Sequence, residues 1–282
     1  MPQPADGEPL PPESAGAPPL TAPAGAPKPV LRAIPAALRF KLEVGTTISR
    51  SFSIWIKGFV PFSILSLVAN APLIAFTYFF LVGEPTESAL ARYTLLSRPI
   101  DSLVGSVLSG AVAHSVFQHL RGRPAGIGPS LGIGLKSLLL VLGVSLVVGL
   151  MMMIGFVFLI IPGFIVACTY CVAVPAAVVE RTRVGASLRR SETLTRGSRW
   201  PIFGAFFVVG LFTTIAATIV QKTLIEGADA ATFQELAIDT CLGQVLISLF
   251  APVSAIFPSV VYHDLRIGKE GASAEDLAAV FD

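Results

Sequence analysis

From Ser137 to Val179 the chain runs for 43 residues without an Asp, Glu, Lys or Arg. As one α-helix rising 1.5 Å per residue it would be roughly 65 Å long, about twice the ~30 Å hydrocarbon layer of a bilayer. The run must therefore double back inside an apolar medium. Pro162-Gly163 is the expected turning point, because proline lacks the amide donor and glycine tolerates the angles that end a helix. An ionised side chain near a bilayer centre costs about 2.5 to 3.5 kcal/mol, so absence of charge also marks the other crossings. By that rule the spans lie at about 59–82, 102–120, 138–161, 164–180, 201–220 and 240–262. The fourth is short and holds Pro175, and Arg181 and Arg183 would lengthen it by snorkelling. The fold class is all-α, a polytopic integral membrane protein: a bundle of six transmembrane helices with short cytoplasmic interfacial helices.

Composition agrees. Charged residues make up 13% of the chain and hydrophobic ones 53%, against roughly a quarter charged in a soluble domain. A net charge of +2, with the basic residues interleaved among apolar spans, argues against a nucleic-acid partner. Of the 20 Lys and Arg residues, 17 fall in segments that share one side of the membrane if the six spans are threaded in turn. Only Arg92, Arg98 and Lys222 stand opposite, and the acidic Glu226, Asp229, Glu235 and Asp239 join them. Positive residues stay cytoplasmic. Both termini are therefore expected inside the cytoplasmic (inner) membrane.

Three regions result. Residues 1–35 form a disordered tail: ten of the first 29 are proline, and no basic residue precedes Lys28, which excludes a signal peptide. It serves as a tether or as a docking site for a proline-recognising partner. Residues 36–270 form the membrane domain, and 271–282 a cytoplasmic tail. Ahead of the first span, Phe40, Val44, Ile48 and Phe52 recur at helical spacing and run on into Trp55 and Ile56. That stripe either lies in the acyl boundary or packs against the bundle's cytoplasmic end.

The fourth connection, Val184 to Gly197, reads as a short helix ending at Gly197, with Ser198 capping the fifth span and Trp200 at the interface. Arg183, Arg189, Arg190 and Arg196 would lie beside the inner leaflet, where each charge is worth about 1 kcal/mol against anionic lipid. They are candidate headgroup contacts, or topology signals with ordinary surface attraction. In the second span Ser102, Ser106, Gly110, His114 and Gln118 form one stripe. Such a stripe faces protein or a hydrated crevice, as packing glue or as part of a substrate path. Asn70 is the other strongly polar residue at depth.

Cys168 and Cys171 share a face, but two thiols fall short of the four ligands of a structural zinc site, and small apolar packing is their simpler role. Met151-Met-Met153 reads the same way. No span carries Asp, Glu, Lys or Arg at its centre, so a proton relay lacks its usual parts. There is no phosphate loop and no motif placing a Ser-His-Asp grouping. No cofactor is expected.

Ile161-Pro-Gly-Phe, Val174-Pro-Ala-Ala-Val-Val-Glu180, Ala186-Ser-Leu-Arg-Arg-Ser and Leu194-Thr-Arg-Gly197 with Trp200 resemble the membrane domain attached to some bacterial glycerophosphodiester phosphodiesterases, and stand-alone YciC-like six-span proteins. The stretch Tyr262-His-Asp-Leu-Arg-Ile-Gly-Lys-Glu-Gly271, with Asp276 and Leu277, is similar to that group's ending. The resemblance implies a six-helix membrane fold over about residues 38 to 280. In those enzymes the reaction belongs to a soluble barrel of about 250 residues, which this chain is expected to lack. The expectation is a non-enzymatic bacterial membrane protein that organises partner proteins or lipids, with a carrier for a lipidic or amphiphilic molecule as the alternative.

Overall fold

The computed structural model describes residues 43–81, 87–123, 125–223 and 233–270, and within them there are nine α-helices and no strand. They are α1 (Val44–Lys57), α2 (Phe59–Leu81), α3 (Glu87–Leu120), α4 (Ile127–Phe158), α5 (Ile160–Tyr170), α6 (Ala173–Glu180), α7 (Val184–Thr195), α8 (Arg199–Gln221) and α9 (Phe233–Glu270). The expectations for tails 1–35 and 271–282, and for Glu226 and Asp229, lie outside the described residues. Among the described residues six segments are long and apolar enough to cross a membrane: α2, α3, α4, α5 with α6, α8 and α9. The chain is a multi-pass helical membrane protein.

The long uncharged run does double back, but not at Pro162-Gly163. The break is Leu159, whose extended backbone (φ −167°, ψ 151°) separates α4 from α5. Pro162 sits in the first turn of α5, where its missing amide removes no helical bond. Gly163 serves close approach instead: a Cβ on Gly155 would lie 2.9 Å from Gly163 Cα. The third span thus ends at Phe158 and the fourth begins at Ile160. Pro175 then interrupts the fourth, since it cannot donate to Cys171 O, and Cys171-Val172 form a turn before α6.

The second and sixth spans extend well beyond the uncharged stretches. The membrane-length segments are Ala91–Leu120 and Ala237–Glu270, so α3 carries Arg92, Arg98 and Asp101 within a helix that continues unbroken into the bundle. The same two helices are the most enclosed, whereas α4 and α8 turn most of their surface outward.

At one end of the bundle, α1 lays Val44, Ile48, Phe52 and Trp55 against a core of Val172, Leu194, Ile202, Val209, Phe257 and Val261. Phe52 meets Phe212 edge to face at 4.9 Å. These four residues of the stripe lie against protein, whereas Ile56 is 64% exposed and Phe40 lies outside the described residues. Thr47 and Arg50 on α1 both donate to Asp264 of α9, at 3.1 and 2.9 Å. A second core, with Leu65, Leu108, Val112, Val116, Ile256 and Val260, joins α2, α3 and α9.

Candidate functional site: a polar crevice among α2, α3 and α9

The sequence pointed first to α7. This helix buries Ser187, Ser191 and Thr195 on one face. Ser191 and Thr195 donate to Thr169 O at 2.7 and 3.1 Å. That carbonyl belongs to the last turn of α5, where intrahelical donors run out. Gly197 (φ +84°) ends the segment as expected, but Ser198, although at the N-cap position of α8, makes no side-chain cap. Trp200 is 84% exposed, as an interfacial residue would be.

The four arginines divide. Arg183, Arg189 and Arg196 are exposed and free to meet headgroups. Arg190 is not: its guanidinium donates to Glu180 at 2.7 Å and pairs with Glu270. The Glu270 carboxylate, followed by Glu180, holds Arg190 above its ordinary pKa. Tyr262 donates to the same Glu180 oxygen at 2.6 Å, and Lys269 donates to the carbonyls of Thr193 and Arg196. This network ties α6, α7 and α9 together.

The stripe on α3 is the seam with α4. Gly110 and Gly134 bring the two backbones together, since a Cβ on Gly134 would lie 2.4 Å from Val107 O and one on Gly110 would lie 3.3 Å from Gly134 Cα. Gln118 Nε2 donates to His114 Nε2 at 3.2 Å, which leaves His114 Nδ1 to donate to Ser130 Oγ at 3.3 Å. Ser115 shares Ser130 at 3.0 Å. Ser106 is buried and donates to Ser102 O at 2.8 Å, while Ser102 itself is exposed. Small residues for close approach and hydroxyls for cross-bonds are what helix association in lipid uses. Cys171 donates to Cys168 O at 3.2 Å, a local helical bond.

The feature the sequence did not reveal lies elsewhere. A crevice of about 540 Å³ opens among α2, α3 and α9. Its lining includes Asn70, Arg98, Asp101, Ser109, Gln244 and Ser248. Asn70 is the central residue of α2, so the crevice reaches the middle of that span. Toward the α7 end it is closed by Leu65, Leu108, Val112 and Ile256. Toward the other end Thr77 bonds Tyr93 at 3.3 Å and accepts from Gln244 at 3.0 Å, linking the same three helices.

Each of these helices carries an internal proline at this level: Pro72 in α2, Pro99 in α3 and Pro252 in α9. Proline cannot donate to the carbonyl four residues earlier, so each of these three continuous helices lacks one ladder bond here. On the outside of α9, Trp55 Nε1 donates to Leu249 O at 3.3 Å, beside the carbonyl that Pro252 leaves without its donor.

Among the described residues neither Arg98 nor Asp101 makes an ion pair or side-chain hydrogen bond, and Gln244 Oε1 is buried without a donor. Charges within membrane spans are rare and mark ligand or ion paths. Drawing the second span by absence of charge had placed both residues in a loop. The signal available was the run of helix formers from Glu87 to Leu96 ahead of them, against which Pro99 argued for a break. No family model, curated protein or solved structure matches this chain.

Proposed function

We propose that this protein holds an amphiphilic molecule in the crevice among α2, α3 and α9, as a non-enzymatic organiser of lipids in a bacterial inner membrane. The observation that carries this reading is the unpaired Arg98 and Asp101 beside a cavity that reaches the depth of Asn70. Both side chains are exposed on a membrane-length helix, where charges are rare, and a polar ligand headgroup gives each a partner. Basic residues gathered at the α7 end favour a cytoplasmic setting for that end and for both termini, with the crevice nearer the opposite face. Arg183, Arg189 and Arg196 then steady the inner face against anionic lipid.

Movement of the ligand across the membrane is the second reading, favoured by the three prolines around the cavity. Broken helices around a midplane site are a feature of carriers. The resemblance to phosphodiesterase membrane domains supports a membrane-embedded role without assigning a reaction.

Gly105 provides the test. It lines the crevice, and a Cβ there meets nothing within 4 Å, so Gly105→Phe fills the cavity without displacing backbone. Native mass spectrometry of protein released from nanodiscs should show a lipid retained by the wild type and lost from this variant. Equal retention by both would remove the crevice from consideration. Flux of a labelled lipid in proteoliposomes separates carrier from holder.

A further inference from the structure

We propose that the crevice is built for a zwitterionic group carrying a phosphate and a primary ammonium, as in phosphoethanolamine. The proposal rests on the reading of the crevice as an amphiphile site and names its ligand class. Arg98 and Asp101 are three residues apart on α3, hence about 4.5 Å apart along the helix axis and on neighbouring positions of one face. Opposite charges at this spacing can pair across one face of a helix. Here both line the crevice and neither is paired with the other. The wall therefore offers one cation and one anion, one helical turn apart, to whatever enters.

Both side chains are exposed at the crevice wall, so a ligand with a single charge would engage one of them and be repelled by the other. A zwitterion satisfies both. The guanidinium of Arg98 presents a planar fork of donors suited to phosphate, and the Asp101 carboxylate accepts charge-assisted hydrogen bonds from an N–H-bearing ammonium. A quaternary ammonium has no N–H to give. The remaining polar lining is neutral, with Asn70, Ser109 and Ser248 near the floor. Gln244 Oε1 adds a buried acceptor without a donor nearer the Tyr93 end. Both charge and hydrogen-bonding capacity thus favour a donor-bearing zwitterion over an anion such as phosphatidylglycerol.

The experiment uses the full chain in nanodiscs of equal parts phosphatidylethanolamine, phosphatidylcholine and phosphatidylglycerol, with retained lipids counted by native mass spectrometry. Wild type should keep phosphatidylethanolamine at least tenfold over either competitor. Arg98→Gln should weaken retention of all three by tenfold or more, and Asp101→Asn should abolish the preference over phosphatidylglycerol. Thermal unfolding of each variant establishes that it is folded.

Equal retention of the three classes by wild type, or an unchanged preference in both charge variants, overturns the ligand class. If Gly105→Phe still loses its lipid in that sample, the crevice reading survives; if it retains lipid as wild type does, that reading falls as well. Soluble glycerophosphoethanolamine supplies the last arm. Calorimetric binding of this solute by a wild type that retains no lipid upholds the zwitterion and identifies its source as water-soluble.

Discussion

The two ends of the α2–α3–α9 unit treat charge in opposite ways. At the α7 end Arg50 meets Asp264, and Arg190 meets Glu180 and Glu270. Around the crevice Arg98 and Asp101 have one another within a helical turn and make no pair. The first arrangement closes the bundle and ties the connecting helix α7 to the spans. The second leaves two exposed charges with their interaction capacity unspent on a membrane-length helix. Stability and binding are thus separated along the length of the same helices.

Substitutions should reveal that separation. The largest effect is expected at the α3–α4 seam: Gly134→Val drives a side chain into Val107 O and should cost about 3 kcal/mol, by forcing the backbones apart. Thermal unfolding in nanodiscs, followed by tryptophan emission, measures it. Next, Glu180→Ala leaves the Tyr262 hydroxyl without its acceptor and Arg190 with Glu270 alone, for a loss of about 2 kcal/mol. Ser191→Ala removes one of two donors from Thr169 O and should cost about 1 kcal/mol in the same assay.

The smallest effect is expected from Arg98→Gln, which should change stability by less than about 0.5 kcal/mol because it has no partner to lose. Yet this same variant should lose ligand. Destabilisation by Arg98→Gln comparable to that of Glu180→Ala would erase the distinction between the ends. Unchanged stability on Glu180→Ala would do so from the other side.

Much of the fold was legible because hydrocarbon imposes a simple rule on length and charge. That rule located six crossings and the doubling back of the long apolar run. It misplaced the turn, because Pro162 and Gly163 can open a helix and permit close contact as readily as they end one. It also truncated α3, since a helix that passes a crevice can carry Arg98 and Asp101 where a lipid-facing helix cannot. The α3 stripe was visible from spacing alone, but which neighbour it met depended on Gly134 and Ser130 of α4. Ser187, Ser191 and Thr195 recur every fourth residue, and that periodicity was available as a sign that α7 packs by hydroxyls. Arg190 could not be told from Arg189 without knowing where Glu180 and Glu270 lie.

The one-residue turn at Leu159 bears on how the protein is assembled in its membrane. Phe158, Leu159, Ile160 and Ile161 are each at least 64% exposed, so the apex between α4 and α5 is greasy and offers no hydrophilic loop to be delivered across. Gly155 lies against Gly163, so the two arms pack together directly beside the apex. The two arms should therefore leave the translocation machinery as a preformed hairpin, tip first, with the tip remaining among acyl chains.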